Sequence, residues 1–422
     1  MGGDRNLRWN FAVNVVDIAF ISLALNLVSQ ATIIPVLVSH LTASRFAVGL
    51  IPAVVSMGSY LPSVFFARHT ETLVRKKPLL LLYGFLGERL PYLLMALLVA
   101  GFAVRSPGLA LAGLVFLFAV VSFTNGAITP AWLDLIAKVI PVTRRGLWFG
   151  LGSALGACMG IAGAALAANA LSGFSFPDSF TACFLLAFLF SLFSLGAFAL
   201  NREPDGPVKK HEGSYLDYLR RLPAVLRRDR NFRALLVSRF VGLFGSMSTG
   251  FFILFGIERF RLGGAAVGIL TGVLVAGQMV MNLVWGFLGD RFGHKLVLAL
   301  STLCLALAAA TALFLCTSPA WLGLVFVLLA SGLSGDVVSG STITMEFCSA
   351  EDRPTYLGLA GTLLAPARTL APLLGGGLVV LLGFGGLFAA TAATATAGAL
   401  LLGFWLKEPR SLPDARLHST GV

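Results

Sequence analysis

Charge is scarce in this chain: only 12% of its 422 residues are charged, and just 19 of those are acidic. A disordered segment needs low hydrophobicity and abundant charge, so that class is excluded. Histidine and cysteine are also sparse, at five each. Cys158, Cys183, Cys304, Cys316 and Cys348 lie in apolar stretches without the close spacing of a metal site, redox pair or secreted disulfide framework, and they read as small hydrophobes. No G-x-x-x-x-G-K-[ST] phosphate loop occurs, so nothing points to a nucleotide as energy source. No cofactor or metal is implied, and no nucleic-acid partner. What is abundant is apolar: 57% hydrophobic residues, 34 phenylalanines and 47 glycines. The mean hydropathy of +0.88 is that of an integral membrane protein. The first apolar run, from Trp9 to Val38, is too long for a cleavable signal peptide and reads as the first span.

Apolar runs cover residues 9–39, 46–67, 78–102, 108–136, 146–172 and 179–200, then 234–257, 264–288, 296–316, 319–345, 355–382 and 385–406. The uncharged stretches 296–335 and 369–406 exceed one bilayer and must divide at Thr317-Ser318-Pro319 and between Gly383 and Gly386. The expected fold is therefore all-α integral membrane, with twelve transmembrane helices in two six-helix bundles. Residues 1–200 form the first, 201–233 a cytoplasmic linker, and 234–422 the second with a short cytoplasmic tail. Lys and Arg fall overwhelmingly on one alternating set of connections, leaving only Arg45, Arg105, Arg259 and Arg261 on the other. By the positive-inside rule both termini and the linker are cytoplasmic, in a plasma (inner) membrane. The net charge of +12 then reflects insertion topology.

The halves echo one another. Arg8-Trp9-Asn10-Phe11 opens span 1 as Arg230-Asn231-Phe232 opens span 7, and Ala47-Val48-Gly49-Leu50 opens span 2 as Ala266-Val267-Gly268-Ile269 opens span 8. Trp148-Phe149-Gly150-Leu151 pairs in the same way with Tyr356-Leu357-Gly358-Leu359. The offsets of 221, 219 and 208 residues fit a duplication with unequal loops.

Between spans 8 and 9 stands Gly286-Phe287-Leu288-Gly289-Asp290-Arg291-Phe292-Gly293-His294-Lys295. It resembles the G-x-L-x-D-R-x-G-R-K loop of the major facilitator superfamily, with His294 replacing a basic residue. With the spans, repeat and linker, the resemblance extends over nearly the whole chain. It implies alternating access, with spans 1, 4, 7 and 10 lining the path and spans 3, 6, 9 and 12 supporting it. It also implies a conformational latch of Gly286, Asp290, Arg291, Gly293 and Lys295 that engages Arg144 and Arg145 at the start of span 5. The corresponding first-half loop lacks the aspartate, and span 5 has no proline between Val142 and Phe176, unlike the superfamily's proton-driven drug antiporters.

An ionisable residue in hydrocarbon costs a few kcal/mol or more unless paired or wetted, so each is a functional candidate. Asn10, Asn14 and Asp17 of span 1 fall within about 60° of one another, a single polar stripe. Span 4 offers Asn125, Thr129 and Trp132, and span 7 offers Arg239. Asp336 is the deepest acid on span 10 and the candidate proton-coupling carboxylate. Arg368, between Pro366 and Pro372, is placed to bind an anionic group or to neutralise Asp336. Glu88 and Arg89, on a supporting span, read as a structural pair. The expected pathway residues are thus Asn14, Asp17, Asn125, Trp132, Arg239, Asp336 and Arg368.

These features point to a secondary transporter, not an enzyme: a monomeric permease for a small-molecule substrate, with the proton as candidate coupling ion and the lipid bilayer as its surroundings. Competing readings are drug or metabolite efflux by proton antiport, a transporter-like receptor, and a lipid-acting membrane enzyme. The last would need clustered carboxylates or His and Cys ligands, which the sequence does not bring together.

Overall fold

The computed structural model describes residues 2–71, 73–205, 226, 229–348 and 353–409, so most of the expected linker and tail lie outside the described residues. These residues are helical and contain no strand, as hydrocarbon demands of a chain that must satisfy every backbone N–H and C=O internally. The helices are α1 (Gly2–Leu27), α2 (Ile33–Leu41), α3 (Arg45–Glu71), α4 (Lys77–Phe102), α5 (Pro107–Val139), α6 (Val142–Gly173) and α7 (Asp178–Ala199). Then follow α8 (Arg230–Leu243), α9 (Phe251–Phe260), α10 (Gly264–Phe292), α11 (His294–Leu315), α12 (Ala320–Ser339), the short α13 (Thr342–Met345) and α14 (Arg353–Leu400).

Among the described residues, 10 stretches are long and apolar enough to cross a membrane. One of them, Tyr356–Trp405, is 50 residues long and breaks at Gly383, whose φ of 68° suits glycine. That is where the sequence required a division. The other required break falls between Leu315 and Ala320. Counting the two parts of α14 separately and adding α3, whose apolar part is Arg45–Ser59, the architecture accommodates the twelve expected spans. Spans 1 and 7 are both discontinuous. The first is interrupted between α1 and α2, where the Ser29 carbonyl accepts from the amides of Thr32, Ile33 and Ile34, and the seventh between α8 and α9. Interruptions at equivalent positions of two halves are a mark of transporter repeats.

The chain forms two compact units, Met1–Lys210 with Ile253–Ala276, and His211–Phe252 with Gly277–Val422. In the first, α1 packs on α6 and α7, and α3 on α5. The segment 253–276 is tied to it by an ion pair between Arg45 and Glu258 at 2.5 Å and by a 2.7 Å hydrogen bond from Thr271 Oγ1 to Thr32 Oγ1. In the second unit, α11 packs on α12 and α14, and α8 on α14.

Each unit closes on itself through the same side-chain device. In the first, Asn10 Nδ2 donates to the Arg202 carbonyl at 3.1 Å and Asn10 Oδ1 accepts from the Arg202 amide at 2.8 Å. In the second, Asn231 makes the same two bonds with Lys407, at 2.9 and 3.0 Å. Asn10 and Asn231 stand at the 221-residue offset read from the sequence. The next residue in each case is a glutamate followed by proline. Glu203 accepts from the amides of Lys76 and Lys77, which open α4, and from Lys138 Nζ at 3.2 Å. Glu408 places its carboxylate against Gly293, which precedes α11 and has a φ of 93°. A Cβ at Gly293 would fall 2.7 Å from that carboxylate, so glycine is required by both backbone and space. In each unit, therefore, the end of the last helix is clasped by the first and meets the start of the third with a carboxylate, which suits a helix N-terminus.

Because Asn10 is buried, Asn10→Ala strands backbone groups and should destabilise the protein by roughly 1–3 kcal/mol. The bonds of Asn231 are more exposed, so Asn231→Ala should cost less. Thermal unfolding in detergent reads both, and an unshifted Asn10→Ala midpoint would remove the clasp from the fold's essential interactions.

Candidate functional site

A partly open cavity of about 270 Å³ lies inside the first unit, lined by Asp17, Glu88, Arg89, Asn125, Thr129 and Trp132 together with apolar side chains of α1, α4, α5 and α7. Three of the expected pathway residues meet here, from two spans. Asp17, only 8% exposed, accepts a 2.5 Å hydrogen bond from Ser194 on α7. Asn125 Nδ2 donates to Glu88 Oε1 at 2.9 Å, and the Thr129 hydroxyl is engaged by the Asn125 carbonyl one turn back. Trp132 packs near Trp148, with ring centroids 6.3 Å apart.

Glu88 and Arg89 correct the reading of α4 as a purely supporting helix. They do form an ion pair with each other, but they also line the cavity. The cause is local: residues Gly84–Arg89 form a π turn within α4. A wider turn rotates the side chains that follow it relative to a regular helix, and such turns concentrate at functional sites. Arg89 Nη1 also donates to the Gly84 carbonyl at 3.3 Å, helping to close the turn. Gly87 faces the Thr124 side chain so closely that a Cβ there would overlap it. This close approach seats the turn against α5.

The polar stripe of α1 is divided between two tasks. Asn14 does not line the cavity, because its amide is taken by Asn201 Oδ1 at 2.6 Å and the Asn10 carbonyl at 2.7 Å, extending the clasp. Only Asp17 of that stripe reaches the cavity.

In the second unit, Arg239, Asp336 and Arg368 come together. Arg239 Nη2 contacts Asp336 Oδ1 at 2.7 Å, Arg368 Nη2 contacts Asp336 Oδ2 at 2.6 Å, and Arg239 Nη1 donates to the Gly340 carbonyl at 2.5 Å. The neutralising role considered for Arg368 is the arrangement observed. The premise for proton coupling at Asp336, a lone desolvated acid, is not: each carboxylate oxygen holds a guanidinium.

The signature loop is built inside this unit. The buried His294 that replaces the usual basic residue shares a 3.0 Å hydrogen bond with Ser339 Oγ and packs on Gly289, while Arg291 lies over the Phe292 ring. Asp290 and Lys295 flank these contacts in sequence. Of the expected latch partners, in the other unit, Arg144 is exposed. Arg145 is used locally, donating to the carbonyls of Ile140 and Ala137 at 2.9 and 2.8 Å. The first-half loop, which lacks the aspartate, is held instead by Lys76: its side chain is buried and pairs with Asp134 at 3.2 Å. Outside the membrane, Arg75 bonds Asp205 and holds that carboxyl below the usual range.

A polytopic helical protein with a duplicated, clasped bundle and charged interiors in both halves has the architecture of a membrane transporter. The profile described as Major Facilitator Superfamily matches residues 16–262 and 235–421, and the chain belongs to that family. Among curated proteins it is similar to the staphyloferrin B transporter of Staphylococcus aureus (strain NCTC 8325 / PS 47), 29% identical over 163 residues, which cover 37% of this chain and 38% of that protein. It is also similar to the class E tetracycline resistance protein of Escherichia coli, 27% identical over 239 residues and 54% of each chain. The matches thus span from under two fifths to about half the length of these relatives. Among solved structures, D-xylose-proton symporter superposes with a TM-score of 0.70 at 12% identity, covering 95% of this chain and 98% of that one. The human organic anion transporter MFSD10 (TETRAN) gives 0.61 at 16% identity, with 94% and 99% covered. At such identities these likenesses establish the fold.

Gly87→Val should force α4 off α5 and cost roughly 1–3 kcal/mol by overpacking. Because Thr124 is what the new side chain meets, Thr124→Ala in the same chain should recover part of the loss. Thermal unfolding of the two single variants and the double variant checks this, and strict additivity would show that the contact does not seat the π turn.

Proposed function

We propose that this chain is a secondary active transporter that carries a small polar solute by alternating access, coupled to protons. The single observation supporting this most is the first-unit cavity, where two carboxylates, a guanidinium, an amide and an indole converge inside a membrane bundle. Charged groups at that depth are costly and are kept for ion and solute pathways. The compounds named for the similar proteins, staphyloferrin B, tetracycline, D-xylose with protons and organic anions, share no chemical class, so the solute must be sought from the site.

Asp17 is the proposed coupling carboxylate. It faces the cavity and bonds a hydroxyl, whereas Asp336 is engaged by two arginines. Arg239, Asp336 and Arg368 serve as a mutually paired pathway element of the second half, and Asn125 and Trp132 as pathway residues of the first. The loop containing Gly286, Asp290, Arg291, Gly293 and Lys295 is assigned to the conformational latch at the cytoplasmic surface. The protein is proposed to act as a monomer in the inner membrane with both termini cytoplasmic.

The test uses purified protein in liposomes containing a pH-sensitive dye, challenged with amines, amino acids, sugars, nucleosides and organic anions. At least one class should move protons with the wild type, and Asp17→Asn should reduce the protons moved per solute at least about tenfold, measured at saturating solute. Solute accumulation unaccompanied by proton movement, or unaltered coupling in Asp17→Asn, would contradict the coupling assignment.

A further inference from the structure

The composition of the first-unit cavity bears on its ligand. Asp17 and Glu88 bring two carboxylates to its wall and Arg89 brings one guanidinium, which is already paired with Glu88. Asp17 has a neutral donor, Ser194, on one oxygen. The wall therefore carries an excess of negative charge in surroundings where an unbalanced charge is expensive, and a bound cation relieves it. Trp132 adds an aromatic surface, which attracts cations through its ring face. At about 270 Å³ the cavity sits at the small end of ligand pockets.

We propose that this cavity binds a small organic cation. Asp17 and Glu88 balance the cationic head and Trp132 covers it. Asn125 is a positioning residue: its amide donates to Glu88 Oε1 and fixes the carboxylate toward the wall. The π turn shapes the site, since it delivers Glu88 and Arg89 to a cavity otherwise built by α1, α5, α7 and Leu80 of α4. The proposal deepens the transporter reading by naming a solute class, but it concerns binding and is tested without a gradient.

The probe is choline, compared at constant ionic strength with its neutral isostere 3,3-dimethyl-1-butanol and the anionic 3,3-dimethylbutyrate. The protein is reconstituted in nanodiscs, and binding is followed by tryptophan fluorescence and by the unfolding midpoint. Choline should bind saturably and raise the midpoint, while the two isosteres should bind at least about tenfold more weakly. Glu88→Gln keeps the size and the bond to Asn125, and should lose at least about tenfold in choline affinity. Asp17→Asn gives an independent second reading should Glu88→Gln prove unstable, and Asn125→Ala should weaken choline binding less than Glu88→Gln does. Equal binding of all three probes, preference for the anion, or an affinity unchanged in both carboxylate variants would overturn the proposal. Proton-coupled movement of a noncationic solute alongside absent choline binding would sink the cation site while leaving the transporter reading intact.

Discussion

Hydrocarbon gives no hydrogen bonds, so every polar group carried into it must bring its partner along. That constraint organises this molecule. Asp336 is held between Arg239 and Arg368, and Lys76 is buried against Asp134, with Glu203 collecting two backbone amides and Lys138. Against this background the first-unit cavity stands out. Its two acids outnumber its one guanidinium, and Asp17 bonds a neutral hydroxyl, that of Ser194. Where Asp336 holds a guanidinium on each oxygen, a carboxylate that meets a cavity with no ion pair among the described residues is the feature that calls for a solute.

The same constraint explains the clasp. A bundle of membrane helices gains little from burying apolar surface against lipid, so it needs polar contacts and close approach to hold its ends together. Asn10 and Asn231 supply these through a two-bond ring to the backbone before Glu203 and Glu408. The device is retained in both halves although the loops around it have diverged: the first loop relies on a buried lysine, the second on a positive-φ glycine and His294.

Much of the fold could be read from the sequence because span length and hydropathy are set by the bilayer, a property of the solvent. The break at Gly383 and the halves' 221-residue echo were legible for that reason. The site was only partly legible. Helical periodicity placed Asn10, Asn14 and Asp17 on one stripe, correctly as geometry, but could not show that Asn201 takes up Asn14 while Asp17 reaches the cavity. It read Glu88 and Arg89 as a structural pair, which they form, but did not bring them to the cavity, because a regular period does not register a π turn. The adjacent acid and base beside Gly84 and Gly87 were the available signal, and a family-wide rule about supporting helices outweighed it. Arg368 was correctly weighed as a partner for Asp336, since opposite charges at membrane depth have few alternatives.

Accessibility of Thr129, in the cavity wall, tests the central claim most directly. In a background lacking the native cysteines, a single Thr129→Cys variant in membranes is exposed to charged, membrane-impermeant thiol reagents. If the cavity is an aqueous, electronegative solute site, the thiol reacts, and a cationic reagent reacts at least about tenfold faster than an anionic one of the same size, a difference that salt diminishes. Reaction only with membrane-soluble reagents, or faster reaction with the anion, would mean that the cavity is neither wet nor cation-selective.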